Sequence, residues 1–371
     1  MSELYIGLMS GTSLDGVDGV LADFSDRRPN VQAHASAPFS RVFAEELLAL
    51  NTPGDNELHR SALAANTLAR VYAQVVADLL RQSGMRSRDV AAIGAHGQTV
   101  RHRPQAFDGT GYTLQINNPA LLAELTGINV IADFRSRDVA AGGQGAPLVP
   151  GFHQSMFGVR GETIATLNIG GIANLTVLGP HLAQDVLGFD CGPGNALLDA
   201  WCQQHRGQAF DAGGMWAASG RVDAALLEVL LQEPYFALPA PKSTGRDLFN
   251  ASWLDRQLAR VQPLAPVDVQ AALTELSAKV CADSVKRYGA ASHELIVCGG
   301  GAYNLHLMRR LQANLPAVHV SSSFDHGLPP LQVEATAFAW LARKAVLRET
   351  GSLETVTGAQ GARILGAIYP A

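Results

Sequence analysis

The feature that most constrains the fold is a pattern that occurs twice, in which apolar runs lie on either side of a polar turn containing glycine. The apolar run 4–9 is followed by Ser-Gly-Thr-Ser and by a second run over 17–24. Further along, the run 164–169, the pair Gly170-Gly171 and the run 172–178 repeat this order. Short apolar runs bounded by turn residues are typical of strands. We therefore predict an internal structural duplication.

The length of 371 residues favours two lobes, because single hydrophobic cores stop growing near about 250 to 300 residues. The polar, glycine-rich segment 134–145 leads into Ala146-Pro147, where we predict the start of a helix and the connection between lobes. The first lobe is predicted to contain residues 1–138 and 345–371, and the second residues 139–344. Helical periodicity further predicts helices over 57–80, 267–288 and 333–348.

Charge and hydropathy restrict the class of partner. The net charge of -5 argues against nucleic acid or an anionic membrane surface, since both call for a basic face. The sequence has no apolar run of about 20 residues and no basic segment before its first apolar stretch. We expect a cytoplasmic protein with a small-molecule partner, and neither a nucleic acid nor a membrane partner.

The four cysteines do not have the spacing of a zinc site, because no CxxC pair or interleaved histidines occur. They are Cys191, Cys202, Cys281 and Cys298. We expect reduced, mostly buried thiols.

The first glycine turn has the two-glycine spacing of a phosphate-binding loop, but a Walker motif would require Lys and Ser or Thr where Val17 and Asp18 stand. Glycines let backbone N–H groups approach a phosphate, and Asp15 is a candidate to hold magnesium through water. A plain polar hairpin turn explains the glycines equally well. The candidate nucleotide-binding residues are Gly11, Thr12, Ser13, Leu14, Asp15, Gly16, Val17 and Asp18.

Two further glycine clusters follow apolar strands. The turn at 168–174 exposes amides that suit phosphates, and the three glycines at 299–301 permit a planar base or a ribose to lie against backbone. Each cluster alone is also explained by an ordinary turn between two elements, where glycine is common. The candidate residues here are Asn168, Gly170, Gly171, Asn174, Gly299, Gly300, Gly301 and Asn304.

This order of loops is the one seen in sugar kinases, actin and the heat-shock ATPases. The stretches GLMSGTSLDGVD (7–18), GAHGQTVRHRP (94–104), ADFRSRDVAAGGQGAPLVP (132–150), NIGGIANLT (168–176), FDCGPGN (189–195) and VEATAFAWLA (333–342) resemble signatures of the anhydro-N-acetylmuramic acid kinases. The resemblance implies a two-lobe α/β fold of the actin-like ATPase (ribonuclease H-like) class, with a cleft between the lobes.

The same resemblance implies an enzyme that hydrolyses the 1,6-anhydro ring of anhydro-N-acetylmuramic acid and phosphorylates O6, in cell-wall recycling, with ATP and Mg as cofactors. Asp190 in FDCGPGN would be the catalytic base, which fits the need for a carboxylate to deprotonate water. Glu334 would lie near Asp190, although a carboxylate at a helix start also interacts favourably with the helix dipole. If the two carboxylates lie close together, the pKa of one of them would be raised.

The substrate site is expected at strand ends and in the FDCGPGN motif. Its candidates are His96, Gln98, Thr99, Arg135, Gly194 and Asn195. A strand-end His is also often structural, and Arg135 could instead pair with Asp138. Cys191 departs from the Thr expected in this family, which puts in doubt a role for that side chain on phosphate or magnesium.

Two alternatives remain open from the sequence. One is a kinase of the same fold that acts on an ordinary sugar or amino sugar, and the other is a nucleotide-dependent switch module that binds a protein partner. The family resemblance also implies a homodimer.

Overall fold

The computed structural model describes most of the chain and divides it into two compact units. The described residues are 3–11, 14–26, 28–181, 185–245 and 248–371. Unit 1 comprises residues 1–156 and 331–371, and unit 2 comprises residues 157–330. The C-terminal residues therefore rejoin the unit that contains the N-terminus.

Unit 1 is built on a mixed sheet with the strand order β13-β7-β4-β1-β2-β3. The strands are β1 (Leu4–Met9), β2 (Gly16–Asp23), β3 (Asn30–Pro38), β4 (Ala92–Ala95), β7 (Val130–Ala132) and β13 (Ala367–Tyr369). The first three are antiparallel neighbours, whereas β4 runs parallel to β1 and β7 runs parallel to β4. A separate hairpin of β5 (Gln98–Pro104) and β6 (Gly111–Ile116) follows β4.

Unit 1 also contains helices, some of which pack on the mixed sheet. They are α1 (Arg41–Ala49), α2 (Glu57–Ser83), α3 (Pro119–Thr126), α4 (Ser136–Ala140), α5 (Val149–Phe157), α12 (Val333–Val346) and α13 (Glu354–Thr357). Those that pack on the sheet are α2, α3 and α12. The long helix α2 buries Leu68, Tyr72, Val75 and Leu79, whose spacing of three and four residues forms one apolar face. It ends at Gly84, which adopts the left-handed conformation that favours glycine.

Helix α12 packs directly on the backbone of β1 and β4. Gly7 and Gly94 are register partners on these two parallel strands. A Cβ added to Gly7 would lie 1.8 Å from the carbonyl oxygen of Ala335, and one added to Gly94 would lie 2.1 Å from that of Phe338. The two glycines therefore permit a helix-to-sheet approach that any side chain would block.

Unit 2 contains a second mixed sheet, with the order β10-β9-β8-β11-β12. Its strands are β8 (Ile164–Ile169), β9 (Ile172–Leu178), β10 (Val186–Pro193), β11 (Glu294–Cys298) and β12 (His319–Ser322). Strands β8, β9 and β10 are antiparallel neighbours, whereas β11 runs parallel to β8 and β12 runs parallel to β11.

Unit 2 contains one long central helix, α10 (Pro266–Tyr288), and shorter helices. The shorter helices are α6 (Ala196–Arg206), α7 (Met215–Ser219), α8 (Ala224–Leu231), α9 (Ala251–Leu258) and α11 (Leu305–Asn314). Helix α10 contacts α6, α7, α8, α11 and the strands β9 and β10, and it is buried along most of its length. Its glutamate Glu275 is buried, and it accepts hydrogen bonds from Arg310 and Asn314 on α11.

The two sheets repeat one arrangement. The order β3-β2-β1-β4-β7 in unit 1 matches β10-β9-β8-β11-β12 in unit 2, with an antiparallel meander followed by two parallel strands in both. Strand β13 is an addition at the edge of the first sheet. The prediction of a duplicated α/β fold is confirmed.

The unit boundaries fall at 156/157 and 330/331, whereas the sequence predicted 138/139 and 344/345. The difference at the second boundary arises because α12 packs on β1 and β4, a contact that local patterning does not reveal. The helix predicted to start at Ala146-Pro147 is α5, which begins slightly later, at Val149. Pro150 occupies the first turn, where the missing N–H costs no hydrogen bond.

Within the described ranges, no helix combines the length and the apolar character needed to cross a membrane. The four cysteines are free and buried, as predicted.

Candidate functional site

The first glycine turn connects β1 and β2 in unit 1. Thr12 and Ser13 lie outside the described residues. Leu14 has a positive φ of 58°, and its N–H donates to the carbonyl of Gly11 at 3.3 Å. Asp15 is exposed, as a magnesium ligand reached through water would need to be.

The strand after this turn offers less to a nucleotide than predicted. The side chain of Val17 is buried in the core of unit 1, so only its backbone is left for a ligand. Asp18 lies 3.4 Å from Nε2 of His34 on β3. A Cβ on Gly16 would lie 2.4 Å from the carbonyl oxygen of Ala37, so this glycine is required by strand packing.

His96 lies at the end of β4 and is buried next to the glycine turn. Its Nδ1 is 3.2 Å from the carbonyl oxygen of Ser10, and its Nε2 is 2.9 Å from Nη2 of Arg135. Because a guanidinium only donates, Nε2 accepts and Nδ1 carries the proton that is donated to Ser10. The ring also packs against Phe338 on α12, with 4.8 Å between centroids.

Burial, and secondarily the charge of Arg135, lowers the pKa of His96 to about 3. The imidazole is therefore neutral at physiological pH and supplies no proton there. His96 orients Arg135, which agrees with the structural alternative that the sequence left open.

Arg135 is held by two segments of unit 1, the end of β4 and the loop that contains Gly145. Beyond its contacts with His96, its Nη1 donates to the carbonyl of Gly145 at 2.8 Å. Burial lowers its pKa to about 10, while the charges of Glu334 and Asp138 act in the opposite direction. Arg135 therefore stays cationic at neutral pH.

Asp138 has its own partners, which corrects the alternative that it pairs directly with Arg135. It accepts from the amide of Gly145 at 2.8 Å and from the hydroxyl of Thr357 at 2.8 Å. A Cβ on Gly143 would lie 2.2 Å from Oδ2 of Asp138. The glycine-rich segment is thus wrapped around a buried carboxylate.

Gln98 and Thr99 begin β5, beside His96. Nε2 of Gln98 donates to the carbonyl of Gly11 at 3.2 Å, and Thr99 accepts from Nε2 of Gln115 at 3.1 Å. Oε1 of Gln98 and both polar side-chain atoms of Asn117 are buried and have no hydrogen-bond partner within the described ranges. Buried polar atoms of this kind are normally satisfied, so this part of unit 1 suits a polar ligand.

The second glycine turn joins β8 and β9 in unit 2. The carbonyls of Gly170 and Gly171 accept from the amides of Asn195 at 2.8 Å and Gly194 at 3.0 Å. In a planar trans peptide the N–H points opposite to the carbonyl. The amides that follow these carbonyls, on Gly171 and Ile172, therefore point away from α6, as an anion-binding turn requires.

The third glycine cluster follows β11 and lies against the second. Cys298 on β11 is the register partner of Asn168 on β8, so both parallel strands end at this point. Gly299 has a φ of 77°, and a Cβ there would lie 2.4 Å from Oδ1 of Asn168. That oxygen is buried and has no partner among the described atoms. Glycine backbone next to an unsatisfied acceptor fits a hydroxyl-bearing ligand such as a ribose.

Three further candidates near these turns make contacts within unit 2. Nδ2 of Asn195 donates to the carbonyl of Ile169 at 3.2 Å. Asn304 caps α11 by accepting from the amide of Leu307 at 3.0 Å. Gly301 leaves room for the side chain of Ile169, 2.4 Å from where its Cβ would be.

One row of polar residues crosses the sheet of unit 2. Asn174 on β9 is the register partner of both Asn168 on β8 and Asp190 on β10. Directly paired residues share a face, with Cβ atoms about 5 Å apart. The proposed base is therefore next to the second glycine turn, which links two groups of candidates that the sequence treated separately.

Asp190 is aimed by a β-bulge and held by a loop. The register of β10 with β9 shifts between Asp190 and Gly192, and bulges of this kind re-aim side chains. The N–H of Asp190 donates to the carbonyl of Lys242 at 3.0 Å, its carbonyl accepts from the Tyr235 hydroxyl at 2.7 Å, and Oδ2 accepts from the amide of Thr244 at 3.0 Å.

Burial raises the pKa of Asp190 to about 6, and the amide of Thr244 acts against this rise. The sequence attributed a raised pKa to a second carboxylate, but desolvation of Asp190 within unit 2 accounts for it. A carboxylate with such a pKa is ionised at pH 7.5 and is more basic than an ordinary aspartate.

Glu334 lies in unit 1, in the first turn of α12. Gln332 is the N-cap residue of this helix, so Glu334 is not the cap, although its charge still favours the helix start. Its electrostatic interaction with Arg135 connects it to the His96 network.

The structure thus forms two groups of candidates. His96, Gln98, Arg135 and Glu334 belong to unit 1, whereas Asn168, Asn174, Asp190 and Gly299 belong to unit 2. Sequence reasoning missed Asn117 and the loop residues Tyr235, Lys242 and Thr244. Only the isolated lysine in PKSTG marked that loop, since Lys242 is the first lysine in the chain.

Comparison with known proteins decides the family. The family model described as anhydro-N-acetylmuramic acid kinase matches residues 3–371. The chain belongs to this family. A relative from Albidiferax ferrireducens with the same name is 68% identical, and the match covers 100% of both chains. Another from Variovorax paradoxus is 66% identical over 100% of this chain and 99% of its own.

Among solved structures, a reductive activator for a corrinoid, iron-sulfur protein has a TM-score of 0.53 at 12% identity. The match covers 96% of this chain and 63% of that one. At this identity the likeness concerns the fold alone. The anhydro-N-acetylmuramic acid kinase family thus shares its general architecture with a protein that bears an unrelated name.

Proposed function

We propose that this chain is the kinase that opens the 1,6-anhydro ring of anhydro-N-acetylmuramic acid and phosphorylates O6, releasing ADP, in peptidoglycan recycling. Membership of the family supports the substrate and the phosphoryl transfer. The observation that carries the hydrolytic half is the half-buried Asp190, with its raised pKa and its fixed contact to the Thr244 amide.

Asp190 is assigned the role of general base. Oδ2 is occupied by the Thr244 amide, which leaves Oδ1 for a water molecule. Taking a proton from that water lets its oxygen attack the anomeric carbon, and the ring bond to O6 breaks. The electron pair of that bond stays on O6, which then accepts the phosphoryl group.

The nucleotide is assigned to the glycine turns. The amides after Gly170 and Gly171 suit its phosphates, and the backbone at Gly299 with the free acceptor of Asn168 suits its ribose. Asp15 would hold magnesium through water, in keeping with the few carboxylates that this ion usually takes from a protein. When bound, ATP with magnesium supplies the phosphoryl group and neutralises its charge.

Polar groups of unit 1 are assigned to the sugar. Arg135 is cationic and suits the lactyl carboxylate, while Gln98 offers a buried acceptor for a hydroxyl or amide. Glu334 balances the charge of Arg135. Gly194 and Asn195 are instead assigned to supporting the second glycine turn.

An ADP-release assay tests this function. The purified chain with magnesium and ATP is given anhydro-N-acetylmuramic acid, N-acetylmuramic acid, N-acetylglucosamine or no sugar. We expect release with the anhydro sugar only, and incorporation of labelled water oxygen at C1. Release with ordinary sugars would favour a simple sugar kinase, and sugar-independent release would favour the switch module.

The acid limb of the pH profile should report Asp190. Because its pKa is raised to about 6, kcat/KM for the anhydro sugar should fall as pH drops through roughly 5 to 7. Well below this pKa, the fall should be about tenfold for each pH unit. His96, with a pKa near 3, cannot account for such a limb. Circular dichroism over the same pH range provides the control for unfolding. A profile that is flat down to pH 4.5 would contradict this assignment.

Three finer expectations belong to the same proposal. We propose that the enzyme requires magnesium, resides in the cytoplasm and forms a homodimer. Light scattering coupled to size exclusion would measure the mass, which is 39.2 kDa for one chain. A monomer at micromolar concentration would contradict the homodimer.

A further inference from the structure

Lys242 lies in the loop beside the proposed base and has well-defined partners. Its Nζ donates to the carbonyls of Tyr235 at 3.0 Å and Phe236 at 3.1 Å, and it lies 4.6 Å from the centroid of the Tyr235 ring. Ammonium groups at such distances form charge-assisted hydrogen bonds and a cation–π contact. This lysine therefore joins two parts of the loop that are about seven residues apart.

The same loop makes the contacts that fix Asp190. The Tyr235 hydroxyl binds the carbonyl of Asp190, the Lys242 carbonyl binds its N–H, and the Thr244 amide binds its carboxylate. Lys242 is thus attached to Asp190 through its own backbone and, through its ammonium group, to Tyr235. The four residues form a closed ring of contacts.

Part of this loop is exposed, whereas Tyr235 is buried and Phe236 and Ala240 pack against the core of unit 2. Leu238, Pro239, Pro241 and Ser243 are exposed. Polar contacts add to this packing in the exposed part of the loop, where the N–H of Ala240 donates to the Tyr288 hydroxyl at 2.9 Å. The ammonium group of Lys242 ties the Tyr235 end of the loop to position 242, which lies two positions before Thr244.

We propose that Lys242 is a positioning residue for Asp190, whose ammonium group holds the loop so that the Thr244 amide stays on the carboxylate. This inference rests on the proposed function, because it assumes that Asp190 is the base. Lys242 makes no contact with reacting atoms in this role. It acts on the orientation and the proton affinity of Asp190.

Other titratable groups lie near Asp190, and their titration has to be distinguished from that of Asp190. Cys191 follows Asp190 on β10, and Cys281 and Arg287 lie on α10, which packs against that strand. Burial raises the pKa of Tyr235 far above neutrality, so its hydroxyl stays protonated. Contact with Cys191 and burial likewise raise the pKa of Cys281. Neither group titrates near the limb of Asp190.

The test compares Lys242→Met, which keeps a long unbranched side chain and removes the charge, with Lys242→Arg, which keeps the charge. The matched control is Lys286→Met, since Lys286 is exposed on α10 in the same unit. For K242M we expect kcat to fall about tenfold with KM for the anhydro sugar within about twofold, as for a misplaced catalytic group. K242R should recover most of kcat.

The pH profile distinguishes positioning from general support of the fold. The Thr244 amide lowers the pKa of Asp190, so loosening it should move the acid limb of K242M upward by about 0.5 to 1 pH unit. K286M should keep the wild-type limb. If K242M does not fold, Tyr235→Phe is tested in its place. This variant keeps the ring but removes the hydroxyl group that contacts Asp190. The acid limb of its pH profile should also move upward.

The outcomes separate the two proposals. An inactive Asp190→Asn enzyme together with a K242M enzyme of unchanged kcat and limb would overturn the role of Lys242 alone. A K242M enzyme that loses activity only in proportion to its folded fraction, with an unchanged limb, would overturn it as well. An active Asp190→Asn enzyme would instead refute the proposed base.

Discussion

Asp190→Asn is expected to reduce sugar-dependent ADP release by about 10³-fold, within the range that general-base groups contribute. The amide side chain has nearly the same volume and can still accept the Thr244 N–H through its oxygen. It cannot take a proton from water. The measurement is kcat at pH 7.5 with saturating ATP and anhydro-N-acetylmuramic acid.

The thermal stability of Asp190→Asn should not fall together with its activity. The folded-state pKa of Asp190 is raised to about 6, above the ordinary value near 4, so the folded protein holds the proton more tightly than the unfolded chain does. This group therefore costs stability as pH rises from about 4 to 6, and the cost persists at higher pH. Replacing the charge by an amide should leave the melting temperature at pH 8 unchanged or higher.

A matched control for this variant is Asp255→Asn, since Asp255 is exposed on α9 of the same unit. It should keep wild-type kcat and melting temperature. If Asp190→Asn retained more than about a tenth of wild-type kcat, the assignment of the base would have to be abandoned. A large loss of stability in that variant would show that the charge has a structural role.

Gly7→Ala should destabilise unit 1 by about 3 kcal/mol or more, which is at the severe end for a single methyl group. The added Cβ would lie 1.8 Å from the carbonyl oxygen of Ala335 and 2.6 Å from the amide nitrogen of Ala339. Both atoms belong to the backbone of α12, so the helix itself would have to move. We expect the melting temperature to fall by roughly 6 to 12 °C.

Gly54→Ala serves as the control for this prediction. Around its added Cβ the nearest atom is 3.5 Å away, at the end of the flexible Arg60 side chain, and its φ lies outside the left-handed region. An alanine there should be neutral or slightly stabilising, because it restricts the unfolded chain. Equal melting temperatures for Gly7→Ala and wild type would show that α12 can retreat from β1 at little cost.

Local sequence patterns were sufficient to predict the duplicated architecture. Apolar runs around glycine turns at 4–24 and 164–189 predicted the duplicated strands, because strand and turn preferences act over a few neighbouring residues. The long apolar periodicity over 267–288 predicted α10 almost to the residue. The motif stretches were equally sufficient to predict the family.

The support of the candidate site could not be read from the sequence, because its partners are far apart in the chain. The Arg135 guanidinium and His96 are 39 residues apart, and Thr244 and Asp190 are 54 apart. Burial, which only packing creates, makes His96 neutral and raises the pKa of Asp190.

The sequence by itself therefore determined the repeated strands around the glycine turns, the order of those turns and the family, since each is written in short contiguous stretches. Only the tertiary structure decided where the units divide, that Gly7 must lack a side chain, and that the loop around Lys242 holds Asp190. These features depend on which distant backbones meet, and residue type along a single stretch carries no information about that distance.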